Sequence, residues 1–406
     1  MELTKGKVLK DLILNILGSF VLTGTLQLII YPLLGYKMSQ EEYGRLLTLI
    51  GMSNAIGGIL GNSLNNIKLL HQNDYEENDL KDFGILIKNM VIATVILTAG
   101  VVILYKDQIS LINAIILIFA TVFIVLRCYI SVYYRIRLDY LAMLKQVVAT
   151  VIGYVVGIAI FFIIPLWPIV FLLGELAAFL YAYFTTDFKY EKKEKSEKYN
   201  IVVKDFMQIS LSNSVANLLL YLDRIIINPV LGASNVAVYF VASLVGKTAG
   251  IVLNPLSTII LTYLAKMKDS SSKKSFMILS LSSVVMGLTI FLVSIPLTPI
   301  IIKILYPNDY LAASPFFNLA NLSVIIMICG SLINPLLLKN SPLYWQNIIQ
   351  VIYGVLYIGG STLLMQKYQL FGFCLAGIIA NGIRMLLIWS IAFYYIFMGK
   401  EKEIES

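Results

Sequence analysis

The sequence predicts an all-α integral membrane protein, with about twelve transmembrane helices in two six-helix lobes related by a pseudo-two-fold axis along the membrane normal. Three observations carry that prediction. The chain has 406 residues, of which 59% are hydrophobic and 13% charged, and its mean hydropathy is +0.83; soluble domains carry roughly 25% charged residues. Apolar runs long enough to cross the hydrocarbon, about twenty residues at about 1.5 Å each, recur along the whole length. A strongly charged stretch, DFKYEKKEKSEKYNIVVK at 187–204, divides the apolar runs into two sets of six.

The runs fall near 11–34, 43–67, 85–105, 109–131, 145–164 and 168–186, and then near 206–231, 236–265, 275–298, 313–337, 345–365 and 370–397. The N-terminal MELTKGKVLKD is basic, but the apolar run after it continues to about Leu34 without a small-residue cleavage site. It reads as a retained first span and not as a signal peptide. The domains are thus an N-terminal lobe at 1–186, a charged linker at 187–205, and a C-terminal lobe with a short tail at 206–406.

Orientation follows from the basic residues. With the N-terminus inside, one side of the membrane holds twenty-two Lys and Arg, Lys68, Arg135, Arg137 and the linker lysines among them. The other side holds five: Lys37, Arg45, Lys106, Lys303 and Lys367. The positive-inside rule then places both termini in the cytoplasm. The Lys192–Lys198 run reads as a solvated linker beside anionic lipid.

Each half opens alike. Lys10-Asp11 starts the first and Lys204-Asp205 the second, and Pro32-Leu33-Leu34-Gly35 matches Pro229-Val230-Leu231-Gly232. Tyr43 then pairs with Tyr239 and Gly51 with Gly246. An even number of spans per half gives both halves the same orientation, as in transporters built from parallel repeats.

Several chemistries are excluded or disfavoured. His71 is the one histidine and lies in a polar loop, so a histidine metal site or catalytic triad has no material. Cys128, Cys329 and Cys374 sit in apolar runs without metal-ligand spacing and read as small core residues. No cofactor is called for. The acidic loop Asn73–Asp79 reads as solvated.

Polar residues inside the spans form stripes. The seventh span carries Ser210, Ser214, Asn217, Tyr221, Arg224 and Asn228 at spacings that keep one helix face. The eighth carries Ser243, Lys247, Gly250 and Asn254, the second Asn54, Gly58, Gly61 and Asn65, and the twelfth Gly377, Asn381 and Arg384. For the second span, helix packing by small and amide residues accounts for the pattern equally well. Arg224, Lys247 and Arg384 lie deep, where a cation costs at least about 2.5–3.5 kcal/mol and usually faces a cavity. Together they would give that cavity a positive field suited to phosphate oxygens. Arg127 lies nearer a span end and reads as snorkelling. Asp223 and Glu175 are the deep acids, candidates for ion coupling or gating, or simple charge partners.

Residues 10–51, KDLILNILGSF…YPLLGYKMSQEEYGRLLTLIG, resemble the opening of polysaccharide repeat-unit flippases of the multidrug/oligosaccharidyl-lipid/polysaccharide (MOP) exporter superfamily. The stretch YLDRIIINPVLGASNVAVYFVAS resembles that family's second-half opening, with Asp223, Gly232 and Tyr239 at the matching points. The resemblance implies a MATE-like V-shaped bundle whose central cavity opens alternately to either face. It implies as cargo an undecaprenyl-diphosphate-linked oligosaccharide of the O-antigen or capsule type, moved to the outer leaflet. Membrane lipid and polysaccharide-assembly proteins are the implied partners. Arg224, Lys247 and Arg384, with Asn217, Tyr221 and Asn381 beside them, would carry the cavity.

Rival readings belong to other classes. A cation-coupled drug exporter of the same superfamily would favour acidic cavity residues, whereas the deep charges here are mostly basic. A polysaccharide polymerase or lipid-linked glycosyltransferase needs a sizeable outward loop, and the longest here runs only from about Lys303 to Tyr310. A channel would show rings of like charge from symmetric subunits.

Overall fold

The computed structural model describes residues 5–72, 81–190, 195–251, 253, 257, 260, 272–342 and 344–398. Among them every regular element is helical: α1 (Lys5–Thr25), α2 (Tyr31–Lys37), α3 (Gln40–Ile56), α4 (Asn62–Leu70), α5 (Lys81–Leu104), α6 (Leu111–Arg137), α7 (Tyr140–Ile163) and α8 (Pro168–Thr185). Then come α9 (Tyr199–Leu220), α10 (Leu222–Leu231), α11 (Ala233–Ala242), α12 (Ser272–Leu305), α13 (Tyr310–Ala313), α14 (Phe317–Asn340) and α15 (Tyr344–Phe393). Single π-helical turns, Leu26–Ile30 and Gly57–Gly61, join α1 to α2 and α3 to α4.

Eight of these helices are long and apolar enough to cross a membrane, and the bent pair α9–α10 makes a ninth. Three of the expected twelve do not appear among these as separate spans. The last two spans form one helical run, α15, broken only where Gln369 takes a left-handed φ of 50°. The second span is present as the helical stretch 40–70, but its Gly and Asn content lowers its hydropathy. For the eighth span α11 is described, and Asn254 lies outside the described residues, as does the loop 73–79.

The seventh span departs from expectation. It is two helices, α9 and α10, meeting at 58°. At the junction Tyr221 leaves helical geometry (φ −106°, ψ 15°), so the polar stripe from Ser210 to Asn228 is not one continuous face. Pro229 removes a further ladder donor from α10.

By packing, the chain divides into two compact units: residues 1–37 with 45–225, and residues 38–44 with 226–406. In the first, α7 lies along α8, α6 packs on α8, α1 on α7, and α4 with its π turn on α6 and α9. Glycine makes the closest of these contacts: a Cβ at Gly153 would stand 2.4 Å from the Leu173 carbonyl oxygen. The charged linker packs with this unit. Phe188 sits among Tyr129, Tyr133, Phe179 and Tyr183, the Asp187 carboxylate accepts from Arg137, and Asp82 accepts from the backbone N–H of Ser196 (2.7 Å). α9 also belongs here, so the packing boundary falls at Ile225.

In the second unit α14 packs along α15 and α12, and α11 against α13 and α14. Residues 38–44 pack here: the Tyr43 hydroxyl lies 3.4 Å from that of Tyr306, and Gln40 donates to Asp309 (2.9 Å).

Candidate functional sites in the two units

Arg224 belongs to the first unit and is 8% exposed. Its Nη1 donates to the Leu47 carbonyl (3.2 Å), its guanidinium lies over the Tyr221 ring (5.5 Å), and it is hydrogen-bonded to the Tyr31 hydroxyl. A Cβ at Gly51 would stand 2.8 Å from its Cδ, so the absent side chain there makes room for the arginine stem. Asp223 accepts the backbone N–H of Arg224 (2.9 Å) in the first turn of α10. A carboxylate at that position meets unpaired N–H groups and the positive end of the helix dipole, which offsets its desolvation.

Asn217, on α9 before the break, has its Oδ1 1.9 Å from where a Gly58 Cβ would be. Asn213, one turn earlier, donates to Ser63 (2.8 Å). The second-span and seventh-span stripes therefore interlock with each other. Asn65 donates to the Cys128 carbonyl (2.9 Å) and to the Ser131 hydroxyl (2.8 Å), and accepts from Arg135. These contacts are the packing alternative that the second-span pattern had allowed.

Two first-unit cations sit where the sequence did not place them. Arg127, expected to reach the aqueous interface, turns inward, and its Nε donates to Glu175. Glu175 is 1% exposed and also accepts from the Tyr154 hydroxyl (2.7 Å). Lys68, expected in a loop, is 1% exposed. Its ammonium donates to Tyr133 (2.7 Å) and Tyr129 (3.0 Å) and lies over the Tyr133 ring at 4.1 Å. The tyrosine faces and hydroxyls replace part of its hydration.

In the second unit Lys247 lies over the rings of Tyr239 (5.2 Å) and Phe240 (5.3 Å). Tyr239 meets Phe373 edge-on (centroids 4.8 Å), Phe373 meets Tyr357 (5.6 Å), and Tyr357 meets Tyr353 (5.5 Å). Arg384 lies over Tyr353 (5.3 Å). Lys247 and Arg384 thus stand at the two ends of one aromatic run, built from α11 and the two halves of α15. Among the described residues the buried Arg384 Nε has no hydrogen-bond acceptor. Asn381, one turn before it, donates to the Ser323 carbonyl (3.1 Å) and hydroxyl (3.2 Å).

The residues singled out from sequence therefore divide. Arg224, Tyr221, Asn217, Asp223 and Glu175 belong to the first unit, and Lys247, Asn381 and Arg384 to the second. The aromatic run had a partial signal in the sequence: Tyr353 and Tyr357 share a helix face at a spacing of four.

No known family profile matches the sequence, and no curated protein matches it. Solved structures do. An inward-facing multidrug resistance MATE family transporter of the MOP superfamily superposes with a TM-score of 0.69 at 12% identity, covering 92% of this chain and 94% of its own. The lipid II flippase MurJ in an inward closed conformation gives 0.67 at 14% identity, with coverages of 94% and 85%. The Vibrio cholerae MATE transporter VcmN in its bent form gives 0.58 at 12% identity, with 96% of each chain covered. The chain has the fold of MATE transporters and of MurJ over nearly its whole length.

Proposed function

We propose that this protein is an alternating-access flippase. It carries undecaprenyl-diphosphate-linked oligosaccharide repeat units from the cytoplasmic to the outer leaflet of the bacterial inner membrane, for surface polysaccharide of the O-antigen or capsule type. Both termini lie in the cytoplasm in this reading, and polysaccharide-assembly proteins receive the cargo. The observation that carries it is the second unit's aromatic run with a cation at each end, above all Arg384, whose buried Nε lacks an acceptor among the described residues. A diphosphate oxygen supplies the missing acceptor by a charge-assisted hydrogen bond. Asn381 lies one turn from the cation. A fold shared with a lipid II flippase is consistent with a lipid-linked cargo.

We assign Lys247, Arg384 and Asn381 as cargo contacts in the second unit, and Arg224, Tyr221 and Asn217 as those of the first. Glu175 and Asp223 act as charge partners of Arg127 and of the α10 N-terminus. The test deletes the gene, locates the accumulated lipid-linked repeat unit, and complements with Arg384→Lys and Arg384→Met. Accumulation on the inner leaflet, relieved by wild type, partly by Lys and poorly by Met, supports the flippase. Normal outer-leaflet delivery with raised drug susceptibility assigns the chain to drug export instead.

A further inference from the structure

Within the first unit a pocket of about 190 Å³ opens between α1, α4, α6 and α7. Its wall mixes polar and apolar side chains. Asn15 and Ser19 contribute from α1, Asn62 from α4, Arg127 from α6, and Gln146 and Thr150 from α7. The first candidate span begins at Ile13, so Asn15 lies near its end, and Arg127 lies inside the span formed by α6. An ionisable residue within a span points by default to a functional site.

The chemistry of the wall selects the ligand class. The charge of Arg127 is answered by Glu175, and Glu175 is held by Tyr154, so the one cation in the wall is already balanced. No second cation lines the pocket. The remaining polar side chains are amides and hydroxyls, which both donate and accept. Asn15 and Asn62 are exposed and make no side-chain hydrogen bond among the described residues. Such a set pairs with hydroxyl groups better than with a phosphate. The volume is below the roughly 300 Å³ at which sites for drug-sized ligands begin, and it suits a single ring.

We propose that this pocket binds one uncharged sugar ring, a hexose or N-acetylhexosamine. The assignment rests on the flippase reading for the origin of the sugar, which is the oligosaccharide of the cargo, but its binding is testable without transport. Cys128 lines the pocket and is half-buried, while Cys329 and Cys374 are buried, so its alkylation reports on the site.

The experiment measures N-ethylmaleimide labelling of Cys128 in the full-length protein in nanodiscs, with glucose, galactose or N-acetylglucosamine present and with inorganic phosphate as the anionic control. The expected result is slowing by at least one sugar, about threefold at a concentration twice its Kd, and none by phosphate. Asn62→Leu and, separately, Asn15→Leu should abolish the protection, each read against that variant's own unliganded labelling rate. Neither side chain holds the fold together, so both variants keep the test open. Protection by phosphate and not by sugar, no protection by any sugar, or failure of Cys128 to label would each overturn the proposal. Flipping without sugar protection removes this pocket alone. Sugar protection in a protein that does not flip lipid-linked cargo removes the transport reading and leaves the site.

Discussion

The deep charges of the two units are held by different chemistry. In the first unit Arg127 meets a carboxylate and Lys68 meets two tyrosine hydroxyls, while Arg224 reaches a main-chain carbonyl. In the second unit Lys247 and Arg384 rest on aromatic faces. A buried cation with directed acceptors fixes the geometry of the helices around it. Among the described residues Arg384, over its ring, keeps a buried Nε without an acceptor. The comparison separates cations with directed acceptors from cations on ring faces, and it can be broken by substitution.

The largest effect is expected at Glu175. Glu175→Gln leaves the Arg127 guanidinium without its carboxylate, and breaking a buried pair costs about 3–5 kcal/mol. The Arg127 side chain is 21% exposed, which places the loss at the lower end. A large drop in the unfolding midpoint in detergent, measured by tryptophan fluorescence, is the expected outcome. An unchanged midpoint would show that the pair does not hold the first unit.

Glycine contacts sharpen the comparison next. At Gly153 in the first unit and Gly44 in the second, an added Cβ would meet main-chain carbonyl oxygens, of Leu173 at 2.4 Å and of Ala233 at 1.8 Å. Alanine at either site should cost about 1–3 kcal/mol, because backbone cannot turn aside. At Gly58 the blocking atom is the end of the Asn217 side chain, which can rotate away. Gly58→Ala should therefore cost clearly less than Gly153→Ala in the same midpoint assay, and equal losses would contradict this account.

Arg384→Met should change stability by less than about 1 kcal/mol, since the lost cation–ring attraction is offset by relief of an unsatisfied buried donor. Delivery of lipid-linked cargo should nonetheless fall sharply. A variant that unfolds, or one that transports normally, would place Arg384 among the structural charges.

The smallest effect concerns pH. Asp309 lies between α12 and α13, outside the spans, and burial pushes its carboxyl above the usual range, with the Gln40 hydrogen bond opposing. A raised folded-state pKa means that stability is fullest below the unfolded value of about 3.9 and falls as pH rises through the folded value. Asp309→Asn should thus give no gain at the acid end and a small gain that appears as pH rises and then stays constant. Unfolding midpoints from pH 4 upward test the sign; a gain confined to low pH would reverse it.

Much of this was legible in the sequence because hydropathy and length decide where helices cross. The expected run 168–186 is observed as Pro168–Thr185, and 145–164 as Tyr140–Ile163. The break at Tyr221 was not legible, since the polar spacing on both sides of it continues a single helical phase. The Arg127–Glu175 pair joins residues 48 apart in sequence, and only counting depth from each span end would have matched them. The aromatic run needs rings from the far halves of α15 and from α11, a proximity that no local pattern encodes. The second-span stripe was ambiguous because glycine and asparagine serve both packing and polar contact, and the geometry at Gly58 and Asn65 shows packing.

The π turn at Gly57–Gly61 has a bearing on how this helix tolerates change in length. Such a turn holds one residue more than the α-helical repeat. Deleting a single residue within it would restore the ordinary repeat and leave everything beyond on its present face; keeping all its residues in an ordinary α-helix would instead turn everything beyond by about 100°. Asn65 would then swing away from Cys128 and Ser131, and Lys68 away from its two tyrosines. The extra residue works as a phase shim for the turn and the helix beyond it, which pack on both α6 and α9.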